Sequence, residues 1–225
     1  LLLFADRVIS MSSYVSRRFW FLRRKTDIVF YIMNKPQYAK AENHIAGSPL
    51  RLVFPAQFRY GKNQQVVICA VKRYIEQTGD DTIRLYLPGD GARLDEMKSL
   101  AARLKIDKNV IFPGKLSLDG VLELYEKCNI ALCASNVETY GRCIAEPFML
   151  GRCLLTRNTG VALDIIRDGE NGLLFDGEED LARQLVKLHD NPGIVVKMGN
   201  QAFVDRKMFS AESVIDSYLH VISKA

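Results

Sequence analysis

From Leu52 onward, short apolar runs alternate with longer stretches in which apolar residues return every three or four positions. Runs of about four, bounded by turn residues, read as buried strands, and the longer 3.6-period stretches read as helices. Their regular alternation predicts a parallel sheet covered by helices. Strands are predicted at 52–55, 84–87, 110–112, 130–133, 153–156 and 173–175, and helices at 62–77, 93–104, 118–127, 140–150 and 162–167. Right-handed crossovers then build an α/β fold, a Rossmann-like doubly wound parallel sheet.

The punctuation agrees with this reading. Asp176-Gly-Glu-Glu179 has capping-box spacing, with Asp176 as N-cap, and predicts a helix over 179–188; Asn191-Pro192 ends it and starts another. Asp168-Gly-Glu-Asn-Gly172 predicts a tight turn before a strand. A last helix over 210–223 places Val214, Ile215, Tyr218, Leu219 and Ile222 on one face, which asks for a covering partner. Residues 5–13 and 27–34 each carry a strand-like apolar run, and the polar stretch 35–47 reads as a linker ahead of the compact domain.

Composition narrows the classes. The chain has 225 residues, is 48% hydrophobic, and carries a net charge of +5 from 31 basic and 26 acidic residues. That is enough for a real core and too little positive charge to argue for nucleic acid; it suits an anionic small ligand or an anionic membrane surface. The five cysteines are odd in number and form no C-x-x-C pair, so they are expected to be buried thiols of a reducing, cytoplasmic compartment, with no metal site and no disulfide framework. The first residue is Leu, which points to a fragment or a processed chain, and no stretch approaches the roughly 20 apolar residues of a membrane span. Arg17-Arg-Phe-Trp-Phe-Leu-Arg-Arg-Lys25 stands out as a basic aromatic patch. An ordinary amphipathic segment docked on a neighbouring domain explains it, and peripheral contact with the cytoplasmic face of a membrane is the alternative.

The chemistry concentrates after the predicted strand 130–133, in Glu138-Thr-Tyr-Gly-Arg-Cys-Ile-Ala-Glu146. A strand, loop and helix in that order offer an anion backbone N–H groups and the positive helix end. Glu138 precedes the helix and Glu146 lies one to two turns inside, so the two acids suit separate grips on one elongated ligand, not a proton-transfer pair. Solvated helix glutamates are the plain alternative. The loop Gln57-Phe-Arg-Tyr-Gly-Lys62 leaves another predicted strand of the same sheet. Arg59 could bind phosphate oxygens bidentately, and Lys62, disfavoured at a helix start by a few tenths to about 1 kcal/mol, would be favoured by an anion beside it. Pro88-Gly-Asp-Gly91 lacks the spacing of a phosphate fingerprint and reads as a plain turn. Gly160 suits either a close approach of ligand to backbone or a left-handed turn. His44, His189 and His220 have no metal-like spacing, and no nucleophile pattern is present.

Six motifs in order, Pro55-Ala-Gln-Phe-Arg-Tyr-Gly-Lys-Asn-Gln64, Leu87-Pro-Gly-Asp-Gly91, Asn109-Val-Ile-Phe-Pro-Gly114, Glu138 to Glu146, Gly160 to Asp164, and Asp168-Gly-Glu-Asn-Gly-Leu-Leu-Phe175, resemble the nucleotide-sugar-binding half of a family 4 retaining glycosyltransferase of the GT-B fold. The resemblance implies three parts: 1–48 as the end of the acceptor-side domain with a linker, 49–206 as the donor-binding domain, and 207–225 as a C-terminal helix packing toward the acceptor side. It implies that Arg59 and Lys62 bind the donor diphosphate and that Glu138 holds hydroxyls of the transferred sugar. It further implies that backbone groups around Tyr140, Gly141 and Arg142 cradle phosphate, that Glu146 bonds the ribose, and that Phe112, Pro113 and Lys115 lie along the base. The implied partners are a nucleotide-sugar donor (UDP, GDP or ADP not being separated), a glycan or lipid-linked acceptor of polysaccharide biosynthesis, and an N-terminal acceptor-binding domain, with no cofactor beyond the donor. The chain departs from the family pattern at Gln57, where many members carry arginine, at Asp164, usually glutamate, and at Thr139-Tyr140, commonly Gly-Phe. A noncatalytic nucleotide-binding α/β module and an epimerase-like nucleotide-sugar enzyme are the competing readings.

Overall fold

The computed structural model describes residues 5–33 and 48–224, so the predicted linker and His44 lie outside the described residues. An N-terminal unit comprises β1 (Val8–Ser10), the short α1 (Ser13–Ser16), a 3-10 segment Arg17–Lys25 and β2 (Thr26–Ile28), with β1 and β2 paired in parallel. The larger unit follows as β3 (Arg51–Val53), α2 (Gln64–Thr78), β4 (Arg84–Tyr86), α3 (Leu94–Arg103), β5 (Val110–Ile111), α4 (Leu118–Lys127), β6 (Ile130–Cys133), α5 (Arg142–Met149), β7 (Cys153–Thr156), α6 (Ala162–Ile165), β8 (Leu173–Leu174), α7 (Glu178–Asp190) and α8 (Gly193–Asp205). A 3-10 turn, Arg206–Phe209, leads into α9 (Ala211–Ile222). Every predicted strand of the larger unit is present, with β6 and β7 at the predicted bounds and the other ends within two residues of them.

The six strands are parallel in the order β5-β4-β3-β6-β7-β8. The chain starts at the centre, winds outward to β5, then returns beside β3 and winds the other way. Because the winding reverses between β3 and β6, the loops leaving these strands part and open a crevice at their carboxyl ends. Every residue of β6 and β7 is buried, which explains why their sequences are unbroken apolar runs without alternation. Helix α5 is buried from Ile144 to Met149. Each large aliphatic side chain so placed contributes about 1.5–3 kcal/mol, and this packing fixes the strand ends from which the crevice is built.

Pro88-Gly-Asp-Gly91 proves to be scaffold. Its backbone zips to the loop after β3 through Ala56 N–H to Pro88 O (3.1 Å) and Phe58 N–H to Asp90 O (2.7 Å). A Cβ on Gly89 would overlap Ala56 O, and one on Gly91 would lie 2.5 Å from Phe58 O. The glycines permit this contact, which holds the Arg59 loop in place.

Several local expectations are corrected. The N-cap of α7 is Gly177, not Asp176; the Asp180 carboxylate accepts from Asp176 N–H at 2.9 Å, while Asp176 itself turns toward Arg157. In α9, Val214 and Val221 are buried against Val29, whereas Ile215, Tyr218, Leu219 and Ile222 remain exposed. The face that is covered therefore lies beside the one the periodicity singled out. The predicted second strand of the N-terminal unit stops at Ile28, and residues 29–33 run on without pairing as a strand, Phe30 against Phe209 and Met33 N–H donating to Phe209 O at 3.1 Å. The basic aromatic patch is kinked at Phe19 and buries only Leu22, with Trp20 77% exposed.

Candidate functional site

The crevice between β3 and β6 brings two distant loops together. Lys62, just before α2, meets Glu138 in the loop after β6, with Nζ 2.5 Å from Oε1 and both side chains largely shielded. The cation at the helix start thus has its compensating anion inside the protein. Asn63 allows this approach by taking a left-handed conformation (φ 59°), which asparagine tolerates better than most residues. Its side-chain amide donates to Ala134 O at 2.8 Å and to Asn136 Oδ1 at 2.6 Å, and Asn136 N–H donates to Gly61 O. These bonds tie the two loops across the crevice.

Glu138 is also held from the loop after β7: its N–H donates to Thr159 Oγ1 at 2.9 Å. Gly160 (φ 55°) presses against the same loop, where an added Cβ would lie 2.5 Å from Tyr140 O. The close approach expected at Gly160 is therefore made by the chain's own backbone, reinforced by Val161 N–H donating to Tyr140 O at 2.7 Å. Gly141 (φ 91°) caps α5 in a left-handed conformation, so the loop turns sharply into a helix whose first N–H groups have no side-chain cap.

Glu146 sits on the other side of the α5 start. It is almost fully buried, and Arg142, one helical turn earlier, donates to its Oε1 through Nε at 2.7 Å. Glu146, Arg142 and Cys143 line a cavity of about 260 Å³ whose other walls include Pro55, Leu116, Ser117 and Tyr125. Leu116 to Leu118 form one wall of this cavity. Phe112 packs on Phe58 with ring centroids 6.0 Å apart, and Pro113 and Lys115 lie just before that wall. Arg59 is exposed at the tip of its turn, and Tyr140 is buried with its ring edge-on to Tyr31. Burial pushes the Tyr140 phenol up, so it stays neutral.

Two features of the site escape a reading of the sequence. The first is the reach of the N-terminal unit into it: Ser12 Oγ donates to Thr139 O at 2.5 Å, and Ser13 donates to Asp164 through its N–H (2.9 Å) and its hydroxyl. Asp164 stands out in its motif, but nothing local in Ser12-Ser13 marks a partner 151 positions away. The second is that Cys133, Glu138 and Cys143 place their ligating atoms within 4.8 Å of one another. Their spacing matches no common metal motif. Hydrogen bonding with Cys143 holds the Cys133 thiol below its usual range, while the same contact raises that of Cys143. All five cysteines are free, and burial pushes Cys128 and Cys153 up to about 12, leaving them inert. His189 is structural, sharing Tyr74 Oη with Asp80, and His220 is exposed on α9.

Comparison with known proteins shows the family and agrees with the fold. Residues 37–204 match the family described as glycosyl transferases group 1. The chain is 28% identical over 132 residues to the alpha-monoglucosyldiacylglycerol synthase of Streptococcus pneumoniae, covering 59% of this chain and 30% of the relative. It is 27% identical over 215 residues to the N-acetyl-alpha-D-glucosaminyl L-malate synthase of Bacillus anthracis, covering 92% and 51%. The chain therefore spans only about a third to a half of such relatives. Among solved structures, Anabaena HepE in complex with UDP superposes with a TM-score of 0.80 at 18% identity, covering 99% of this chain and 65% of the other. A mutant form of S. aureus TarM, in a complex that includes UDP, gives a TM-score of 0.80 at 17% identity, covering 96% and 43%.

Proposed function

Because this chain belongs to the group 1 glycosyl transferases, we propose that it is the donor-binding half of a retaining glycosyltransferase that uses a nucleotide-diphosphate sugar. The observation that carries the reading is the placement of Lys62, Glu138, the α5 start and Glu146 along one crevice at the sheet's topological switch point. A ligand laid along it meets, in order, a carboxylate suited to sugar hydroxyls, a helix start suited to phosphate, and a buried carboxylate suited to ribose hydroxyls.

Each role follows from its surroundings. Glu146, already oriented by Arg142, presents a carboxylate inside a cavity of mixed polar and apolar walls and nucleoside-like dimensions. The α5 amides and Lys62 stabilise the diphosphate, most strongly as negative charge builds on its departure. On diphosphate binding, Lys62 exchanges part of its bond to Glu138 for the phosphate and so frees Glu138 for the sugar. Arg59, exposed at the rim, closes onto the phosphate from outside. With no paired acid and base in the crevice among the described residues, the incoming hydroxyl attacks from the side of the leaving phosphate, whose oxygen takes the proton. The acceptor, a glycan or lipid-linked sugar, enters from the side of Ser12, Ser13 and Tyr31, where the N-terminal unit already touches the donor loops. The acceptor-binding half of the enzyme would supply its remaining contacts.

Among the described residues no helix is long and apolar enough to cross a membrane. The exposed Trp20 and Phe21 among Arg17, Arg18, Arg23 and Arg24 suit peripheral attachment to an anionic membrane surface. Calorimetric titration with UDP, GDP and ADP tests the donor reading. One of the three is expected to bind, and Glu146→Ala to weaken it by about tenfold or more. Absence of binding by all three, or binding indifferent to Glu146→Ala, would overturn the reading.

A further inference from the structure

Cys133 closes β6, Glu138 lies in the loop that follows, and Cys143 is the second residue of α5. The two sulfurs and a carboxylate oxygen all lie within 4.8 Å of one another, and Cys143 Sγ is 4.0 Å from Glu138 Oε1. Tetrahedral zinc, with Zn–S near 2.3 Å and Zn–O near 2.0–2.2 Å, needs donor separations of about 3.5–3.8 Å. Side-chain adjustments of about 1 Å or less therefore bring the three donors to bonding distance. The backbone at all three positions is held by strand pairing, by Thr159 and by the α5 turn, so the site needs no refolding.

Access and charge agree. Cys133 is fully buried, but Cys143 is partly exposed and lines the cavity beside Glu146, which gives an ion a path to the sulfurs. The Ser135 hydroxyl, fully buried two residues past Cys133, already faces the Cys133 sulfur, and a Cys133 thiolate would be a stronger acceptor for it than the thiol. Two thiolates and a carboxylate carry three negative charges, which a divalent ion and the neighbouring Lys62 ammonium balance.

We propose that Cys133, Glu138 and Cys143 form a three-donor capture site for a soft divalent cation of the zinc class at the head of the crevice, with the fourth position open to water. Binding displaces two thiol protons to solvent, forms two metal–sulfur bonds and one metal–oxygen bond, and requires no redox partner. Affinity therefore rises with pH. Occupied, the site takes Glu138 away from Lys62 and from the sugar; this consequence rests on the donor-site reading, whereas the metal site itself does not.

The test uses untagged, reduced protein without nucleotide, titrated with Cd2+ while the ultraviolet thiolate-to-cadmium charge-transfer band is followed, and with Zn2+ by calorimetry. One ion per chain is expected. Cys143→Ser and Glu138→Gln should each weaken it by more than about tenfold, and Cys69→Ser should leave it unchanged. Circular dichroism establishes that each variant is folded. No charge-transfer band in the wild-type protein, or equal affinity in Cys143→Ser, would overturn the proposal. Unchanged affinity in Glu138→Gln would overturn the three-donor site.

Discussion

Lys62 and Glu138, 76 positions apart, form a shielded ion pair across the switch point of the sheet, with Nζ 2.5 Å from Oε1. The pair spans the crevice between the loops that follow β3 and β6. Screening is weak because both side chains are mostly withdrawn from water, so removing one partner leaves the other charge uncompensated.

In a double-mutant cycle with Lys62→Met and Glu138→Gln, each single change should destabilise the fold by about 1–3 kcal/mol. The double variant should cost less than the two singles together. Urea unfolding measures all three, and strict additivity would show that the pair is not coupled.

Asp164 ties the N-terminal unit to the crevice through the Ser13 N–H and hydroxyl. Asp164→Ala removes both bonds and should cost about 1–2 kcal/mol. Hydrogen exchange at residues 8–16 should speed up markedly, while β6 and β7 keep their protection. Uniform loosening of the whole chain would contradict a local hinge contact.

Two glycines should respond to alanine with opposite signs. At Gly160 a Cβ meets Tyr140 O at 2.5 Å in a left-handed backbone, so Gly160→Ala should destabilise by about 1–3 kcal/mol. Gly193 opens α8 with nothing within 4 Å of an added Cβ, so Gly193→Ala should stabilise by about 0.4–1 kcal/mol. Thermal unfolding of the two variants decides both.

Asp205 at the end of α8 gathers Asn171, Arg167 and Gln201. Burial alone would raise its carboxyl, but these hydrogen bonds and the Arg167 charge outweigh it and hold the carboxyl below its ordinary value. A depressed folded value means stability that is present above the unfolded value, about 3.9, and lost as pH falls through the folded one. The Tm of Asp205→Asn should therefore lie below that of wild type at pH 7, and the gap should narrow below about pH 4. A gap that stays constant down to acid pH would remove Asp205 from the acid response.

Much of this is legible in the chain. The apolar runs at β6 and β7 can only be central strands, and α4 begins and ends where its periodicity says, at Leu118 and Lys127. Glu138, Glu146 and Lys62 stand out because charged residues beside strand ends and helix starts need a reason. The capping of α7 escapes the sequence because Asp176 has a competing partner, Arg157, that only the fold supplies. The covered side of α9 escapes it because an apolar helix face does not say which half meets a neighbour.

Local pattern determined the alternation of strands and helices, the doubly wound class, and the residue types able to hold a charged ligand, since these depend on periodicity, turn chemistry and helix ends. Tertiary structure alone decided that Lys62 meets Glu138, that Ser13 meets Asp164, and that Cys133, Glu138 and Cys143 converge. The reason is physical: such contacts depend on the order in which strands lie in the sheet and on how tightly glycine-bearing loops pack. Hydrophobic burial sets that order over the whole chain, and no short window of sequence carries it.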